Sequence, residues 1–435
     1  MPDTKGGAER AAQAAPGKKR GRPSKRGLKR EALLEGAAAI FNARGIAATS
    51  LAEIAERLGL SRASVYYYVN DRAELVFQCY QRACELTADD LAAAAEAPDG
   101  LARTLRFVEH TLSPDRSPTA VLSEVNYLDP PHRQIIQVAD QRNVSTLIGF
   151  IEAGIADGSI RRCDAEVVAQ TVIGIVAWGR LTPAWSLAPD APGFRRRYLK
   201  TAREILTDGV AADPNGRFVC AIDADAFLPG RFNAFDRREA SEVKVDQLLT
   251  AASRLFNRDG IEATAMDAIT ESLGATKGVL YHYMRDKPDL VMRCYDRAFD
   301  LFDRFAETSA AQGRNGLEQA LFGAHINIQA QAGPLSPLMP QPGLDSLPAE
   351  RRDAFRARAM RLRQAFIRLL RKGMADGSVR PLDASIAALL GAGLFAWVPK
   401  WLPQDDPRSP RELADEICAI DFQGLRARQP GETPR

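Results

Sequence analysis

The chain has 435 residues, 46% of them hydrophobic and 26% charged, with a net charge of +3. That length exceeds one ordinary core, so two or more domains are expected, and no uncharged apolar run reaches the roughly 18 residues of a membrane span. Six scattered cysteines without a CxxC pair argue against disulfides or zinc, and four histidines in no ligand pattern leave no expected metal or cofactor.

Runs of alternating aromatic and β-branched residues are scarce, so the expected fold class is all-α. The chain opens on a basic arm, residues 1–28. About eight Lys and Arg and no acid fall between Lys18 and Arg30, so the remainder sums to about −5. The arm is expected to be disordered when free and to meet a polyanion first. Within it, Arg20-Gly21-Arg22-Pro23 resembles an AT-hook core, suited to a narrow A·T minor groove. A basic arm gripping phosphates anywhere fits equally well, and either makes DNA affinity steeply salt-dependent. With no apolar segment of a signal peptide, a cytoplasmic, nucleoid-associated protein is expected.

Residues 29–92 read as short helices. Leu33, Ala37, Ile40 and Phe41 form one apolar stripe, closed by Gly45 as a left-handed cap. Ser50 with Glu53 starts a second helix carrying Ile54 and Leu58, Gly59 permits a tight turn, and Ser61 caps a third helix. Asp71 with Glu74 caps a fourth. Residues 98–212 continue as a helical sensor or dimerisation-like region, and 213–243 as a connector whose phenylalanines (Phe218, Phe227, Phe232, Phe235) oppose a plain flexible linker.

The pattern then returns. Leu33–Ala83 aligns without a gap on Leu248–Ala298, with about 22 of about 51 positions identical. Residues 244–306 thus form a second set of short helices, with Thr264 and Asp267 expected to cap as Ser50 and Glu53 do. Residues 315–425 form a second sensor region. "AGIADGSIR" matches "KGMADGSVR", and "VAWGR" is echoed by "FAWVP".

Two short helices around a glycine turn make a helix-turn-helix, whose second helix can lie in the major groove. "GIAATSLAEIAERLGLSRASVYYYVNDRAEL" and "GIEATAMDAITESLGATKGVLYHYMRDKPDL" each resemble the DNA-binding domain of the tetracycline-repressor (TetR/AcrR) family. The resemblance implies a DNA-binding head on a helical sensor domain, normally working as a homodimer. Carried over by position, base-edge candidates are Arg62, Ala63, Ser64 and Tyr67, then Lys277, Gly278, Val279 and His282. Phosphate candidates are Thr49, Tyr66, Tyr68 and Arg72, then Thr264, Tyr281, Tyr283 and Lys287. Two departures stand out: Asn70 where many members have lysine, and Val279 where a small hydroxyl residue is usual. A second head kept only for packing is the competing reading.

The long Gly- and Ala-rich segments from Asp164 and Asp383 should form a close helix–helix interface. In the resembling family the equivalent helices make the dimer bundle; here one chain can supply both halves as an intramolecular pseudo-dimer. Further pairing into a four-headed homodimer stays open. Glu124, Asn126, His132, Trp178, Trp185, Phe395, Trp397 and Trp401 are candidates to line a cavity for a small hydrophobic or acyl-type effector, against plain core packing. No nucleophile–base pair or paired acids indicate an enzyme. The expected function is a ligand-responsive repressor reading an imperfect palindrome in double-stranded DNA. The alternative is a ligand-independent architectural binder of A·T-rich DNA.

Overall fold

The computed structural model describes residues 25–181, 193–230, 235–341 and 347–428, without the side chains of Lys25, Arg26, Leu28 and Lys277. The arm residues Arg20, Gly21, Arg22 and Pro23, and the cavity candidate Trp185, lie outside the described residues.

The first copy runs α1 (Lys25–Arg44), α2 (Leu51–Arg57), α3 (Arg62–Tyr66), α4 (Arg72–Ala94), α5 (Gly100–Leu112), α6 (Pro130–Asp157), α7 (Ala165–Leu181) and α8 (Phe194–Asp208). The second runs α9 (Arg237–Asp259), α10 (Met266–Ser272), α11 (Lys277–Tyr283), α12 (Lys287–Gln312), α13 (Gly316–Ala332), α14 (Ala349–Asp376), α15 (Ala384–Ala396), α16 (Val398–Trp401) and α17 (Pro410–Gln423). The described residues contain helices and no named strand, so the chain is all-α and duplicated in tandem. Helix α1 begins at Lys25, inside the stretch assigned from sequence to the arm.

The local signals act as the sequence implies. Gly45 takes φ 81 after α1, and Gly59 and Gly274 turn the chain at φ 63 and 61. Ser50, Ser61 and Asp71 each cap their helix by accepting a backbone N–H three residues on. One cap differs. Helix α10 has no side-chain cap, because the cap position matching Ser50 is Ala265; Thr264 matches Thr49 instead, and its hydroxyl donates to Gly260 O at 2.8 Å as that of Thr49 donates to Gly45 O. The repeated Ala-Asp-Gly-Ser segment also has a local job: Asp157 and Ser159 accept from Gly100 N and Leu101 N at the start of α5. Asp376 and Ser378 do the same for Gly316 N and Leu317 N of α13.

The connector is ordered on the second copy. Cys220, Ile222, Ala224 and Phe227 are buried in its core, Gln329 bonds Ile222 O and Ala224 N, and Arg411 reaches Cys220 O at 2.7 Å. Phe235 is exposed instead, and Phe232 lies outside the described residues.

The copies join reciprocally, as an isologous interface requires. A Cβ on Gly174 of α7 would lie 2.8 Å from Trp397 Cβ and 3.0 Å from Gly393 O. One on Gly393 of α15 would lie 3.0 Å from Trp178 Cβ and 3.3 Å from Gly174 O. Each glycine therefore admits the other copy's tryptophan and backbone. A second exchange flanks this one: Ile160 bridges to Arg426 and Val379 to Ala211. Arg161 Nε donates to Gly424 O at 2.8 Å, and Arg380 Nε to Gly209 O at 2.5 Å. Gly209 and Gly424, at φ 74 and 71, bring the chain after α8 onto the chain after α17, where a Cβ would overlap backbone at 2.2 and 2.4 Å. The two copies thus pack on each other through matching residues of one chain.

The most apolar stretch, Ala384–Trp401, has a mean hydropathy of 1.3 over 18 residues. It includes Lys400, so no uncharged run of that length arises here; the segment is more than half buried and packs on α7 in the joint between copies.

Candidate nucleic-acid interface

Each head presents its third helix outward. On α3, Arg62 and Ala63 are exposed, and Tyr66 and Tyr67 are 57% and 60% exposed. Val65, 1% exposed, pins the opposite face to the core. On α11, Leu280 plays the same anchoring part at 1%, while Gly278, Val279, Tyr281 and His282 face outward. The side chain of Lys277, at the start of α11, lies outside the described atoms. Large aromatic surface in water is costly, so its presence at both tips marks a surface built to be covered.

The tyrosine pairs are shaped alike. Tyr67 meets Tyr68 edge-on at 5.1 Å, and His282 meets Tyr283 edge-on at 4.8 Å, which fixes the half-buried Tyr68 and Tyr283 beside the tips. Ser64 differs from Val279 in more than polarity. Its hydroxyl lies 2.7 Å from the Ser61 hydroxyl, so the first tip carries a small hydrogen-bonded pair that the second lacks.

Four of the phosphate candidates are occupied internally. The Thr49 and Thr264 side chains are buried and donate to Gly45 O and Gly260 O at 2.9 and 2.8 Å, so their hydroxyls do not face a duplex. Arg72 donates to the Tyr127 hydroxyl and to Ala47 O and Thr49 O at 2.7, 3.0 and 3.1 Å, tying α4 to α2 and to the sensor. Lys287 donates to Glu262 O at 3.1 Å, which ties α12 to the loop before α10.

Sequence reasoning missed the ties between head and sensor. Asn42 at the end of α1 donates to Thr119 O and accepts from Val121 N, both at 2.9 Å. Asn257 of α9 donates to Pro337 O and accepts from Met339 N at 2.9 and 2.8 Å. Arg82 and Arg297 add bonds to Pro118 O and Leu335 O at 2.8 and 2.9 Å. Both pairs are identical residues at matching repeat positions, the signal that could have exposed them. Asn257→Ala leaves the Met339 N–H and Pro337 carbonyl buried without this partner. It should cost about 1–3 kcal/mol, read by urea denaturation.

One contact breaks the symmetry. Lys400 of α16 donates to Ser123 O of the first sensor and to Arg258 O at the end of α9. Asn126 reaches Asp259 at 2.5 Å, and the half-buried Glu124 accepts from Ile46 N of the first head while lying against Gly260 of the second. Burial raises the Glu124 carboxyl and pulls the Lys400 ammonium down to about 8. The two heads are thus joined through one polar cluster.

Comparison with known proteins identifies these units. Residues 33–79 and 248–294 match the family described as bacterial regulatory proteins, tetR family. Residues 95–181 and 320–425 match the tetracyclin repressor-like C-terminal domain. The chain belongs to the TetR family, with both domains present twice.

Among its relatives is the HTH-type transcriptional repressor KstR2 of Mycolicibacterium smegmatis, 29% identical over 196 residues, covering 42% of this chain and 91% of that protein. The HTH-type transcriptional regulator TtgR of Pseudomonas putida is 41% identical over 70 residues, 16% of this chain and 33% of that protein. A solved TetR-family regulator, PfmR of Thermus thermophilus, is 22% identical, covers 40% of this chain and 96% of that one, and has a TM-score of 0.33.

Each copy of this TetR-family chain also holds a cavity. One of about 370 Å³ lies in the second copy and is walled by Phe299, Phe302, Phe366, Phe395 and, from the first copy, Trp178. One of about 710 Å³ lies in the first copy and includes Asn126 and, from the second copy, Trp397, Lys400 and Trp401. The candidates Trp178 and Phe395 therefore separate from Asn126, Trp397 and Trp401. Glu124 and His132 line neither cavity: Glu124 is held at the head junction, and the His132 ring stacks on Phe77 at 4.1 Å.

Proposed function

We propose that this chain is a transcriptional repressor that reads an imperfect palindrome in double-stranded DNA with two non-identical heads of one polypeptide and leaves it when an effector reshapes a sensor domain. The supporting observation is the reciprocal joint at Gly174 and Gly393, which packs together two copies whose helix-turn-helix tips face outward. Arg62, Ala63, Ser64 and Tyr67 would meet one half-site, and Lys277, Gly278, Val279 and His282 the other. Val279 offers a thymine methyl an apolar contact where Ser64 offers a hydroxyl. Tyr66, Tyr68, Tyr281 and Tyr283 would reach phosphates, which fix register without reading sequence. The basic arm precedes only the first head, so a minor-groove grip by Arg20-Gly21-Arg22-Pro23 would be one-sided. The effector would be largely apolar, in keeping with the phenylalanine walls of the second copy's cavity.

Gel-shift titration on operators mutated one half-site at a time tests this reading. Arg62→Ala should cost about 1–3 kcal/mol and relax preference at one half-site only. Tyr68→Phe and Tyr283→Phe should weaken binding evenly across sequences. Equal losses on both half-sites for Arg62→Ala would count against the assignment.

A further inference from the structure

We infer that duplication has left this chain with one effector cavity rather than two: the second copy's cavity takes a single, mainly apolar ligand with one polar end, and the matching space in the first copy does not. This rests on the ligand-responsive reading above and concerns which copy senses.

The two cavities occupy the same place in the repeat, so their walls compare position by position. Where the second copy has Phe302, Ala359, Leu362, Leu389 and Phe395, the first has Thr87, Asp140, Asn143, Gln170 and Val176. Four apolar contacts have become hydroxyl, carboxylate or amide groups. An apolar molecule placed against Thr87, Asp140 and Gln170 would strip water from groups it could not pair, and that cost outweighs the gain from burying its own surface. The second cavity has the opposite balance. Its walls are aromatic and aliphatic, and its lining holds two buried polar atoms without a hydrogen-bond partner, Asn327 Oδ1 and Arg363 Nε. Buried polar atoms are normally paired, so both have capacity left for a ligand's polar end. The Arg363 N–H suits a carboxylate, sulfonate or carbonyl oxygen, and the Asn327 oxygen suits an N–H or O–H donor. Ring-bearing or acyl molecules with one such end fit a space of this size.

One site could still address both heads. Trp178 belongs to α7 of the first copy yet lines the second copy's cavity, and it packs over Gly393 in the joint. A ligand there touches the second sensor directly and the first through this ring.

The test uses the full chain and 1-anilinonaphthalene-8-sulfonate, an apolar ring system with an anionic group and an N–H. Fluorescence and calorimetric titrations should give one site per chain. Leu389→Gln and Leu362→Asn should each weaken binding at least tenfold, and Gln170→Leu should not. Operator binding by the same samples, without the probe, checks that the variants are folded and separates this inference from the DNA-reading proposal. Two equal sites per chain, no site at all, or unchanged affinity in both Leu389→Gln and Leu362→Asn would overturn it.

Discussion

Replacing Gly174 with leucine is expected to force the two copies apart and to lower stability and operator affinity together. The new side chain would begin 2.8 Å from Trp397 Cβ and 3.0 Å from Gly393 O. Rotating the tryptophan moves its ring but not its Cβ, and both that Cβ and the carbonyl move only with the α15 backbone. Overpacking a close-packed joint against backbone should cost about 3 kcal/mol or more. Because α7 and α15 carry the sensors whose loops hold Asn42 and Asn257, a shifted joint changes the relative position of the heads. Gly149→Leu is the control: Gly149 sits on the exposed side of α6 with nothing within 4 Å of a Cβ. That substitution should be neutral or stabilising, since leucine favours helix by up to about 1 kcal/mol over glycine. Denaturation midpoints and gel-shift affinities on both variants check the pair.

Disabling the second tip with Lys277→Glu should produce the larger functional loss. Two linked heads convert the second contact into an intramolecular one, which raises affinity on the order of 10²–10⁴-fold over one head alone. A carboxylate at the start of α11 would meet phosphate and base-edge acceptors with repulsion. The full operator should then be bound about as weakly as a single half-site, while affinity for the first half-site stays near its original value. Full-length affinity in the variant would instead mark the second head as a packing remnant. Fluorescence anisotropy on full and half operators distinguishes the two.

The heads were legible in the sequence because their signals are local. Gly45, Gly59 and Gly274 occupy left-handed turns, and Ser50, Ser61 and Asp71 cap within three residues, so each stretch announces its own boundaries. The joint was legible for a related reason: small residues at Gly174 and Gly393 matter only if another helix comes close. Contacts between distant segments were not. Thr49 and Arg72 look like surface groups by position, yet one is buried against Gly45 O and the other is fixed by Tyr127, 55 residues away. The aromatic residues of the joint read as one pocket, but the exchange of Trp178 and Trp397 divides them between two. Thr264 misled by one position: the residue matching the cap Ser50 is Ala265, whose methyl group cannot accept a hydrogen bond.

One folded polypeptide supplying both reading heads to one operator is the central claim. Sedimentation of the purified chain with a selected operator, combined with footprinting of that complex, measures this directly. One chain per duplex protecting two neighbouring half-sites is the predicted result. Protection of one half-site by one chain, or of two only when two chains are bound, would contradict it.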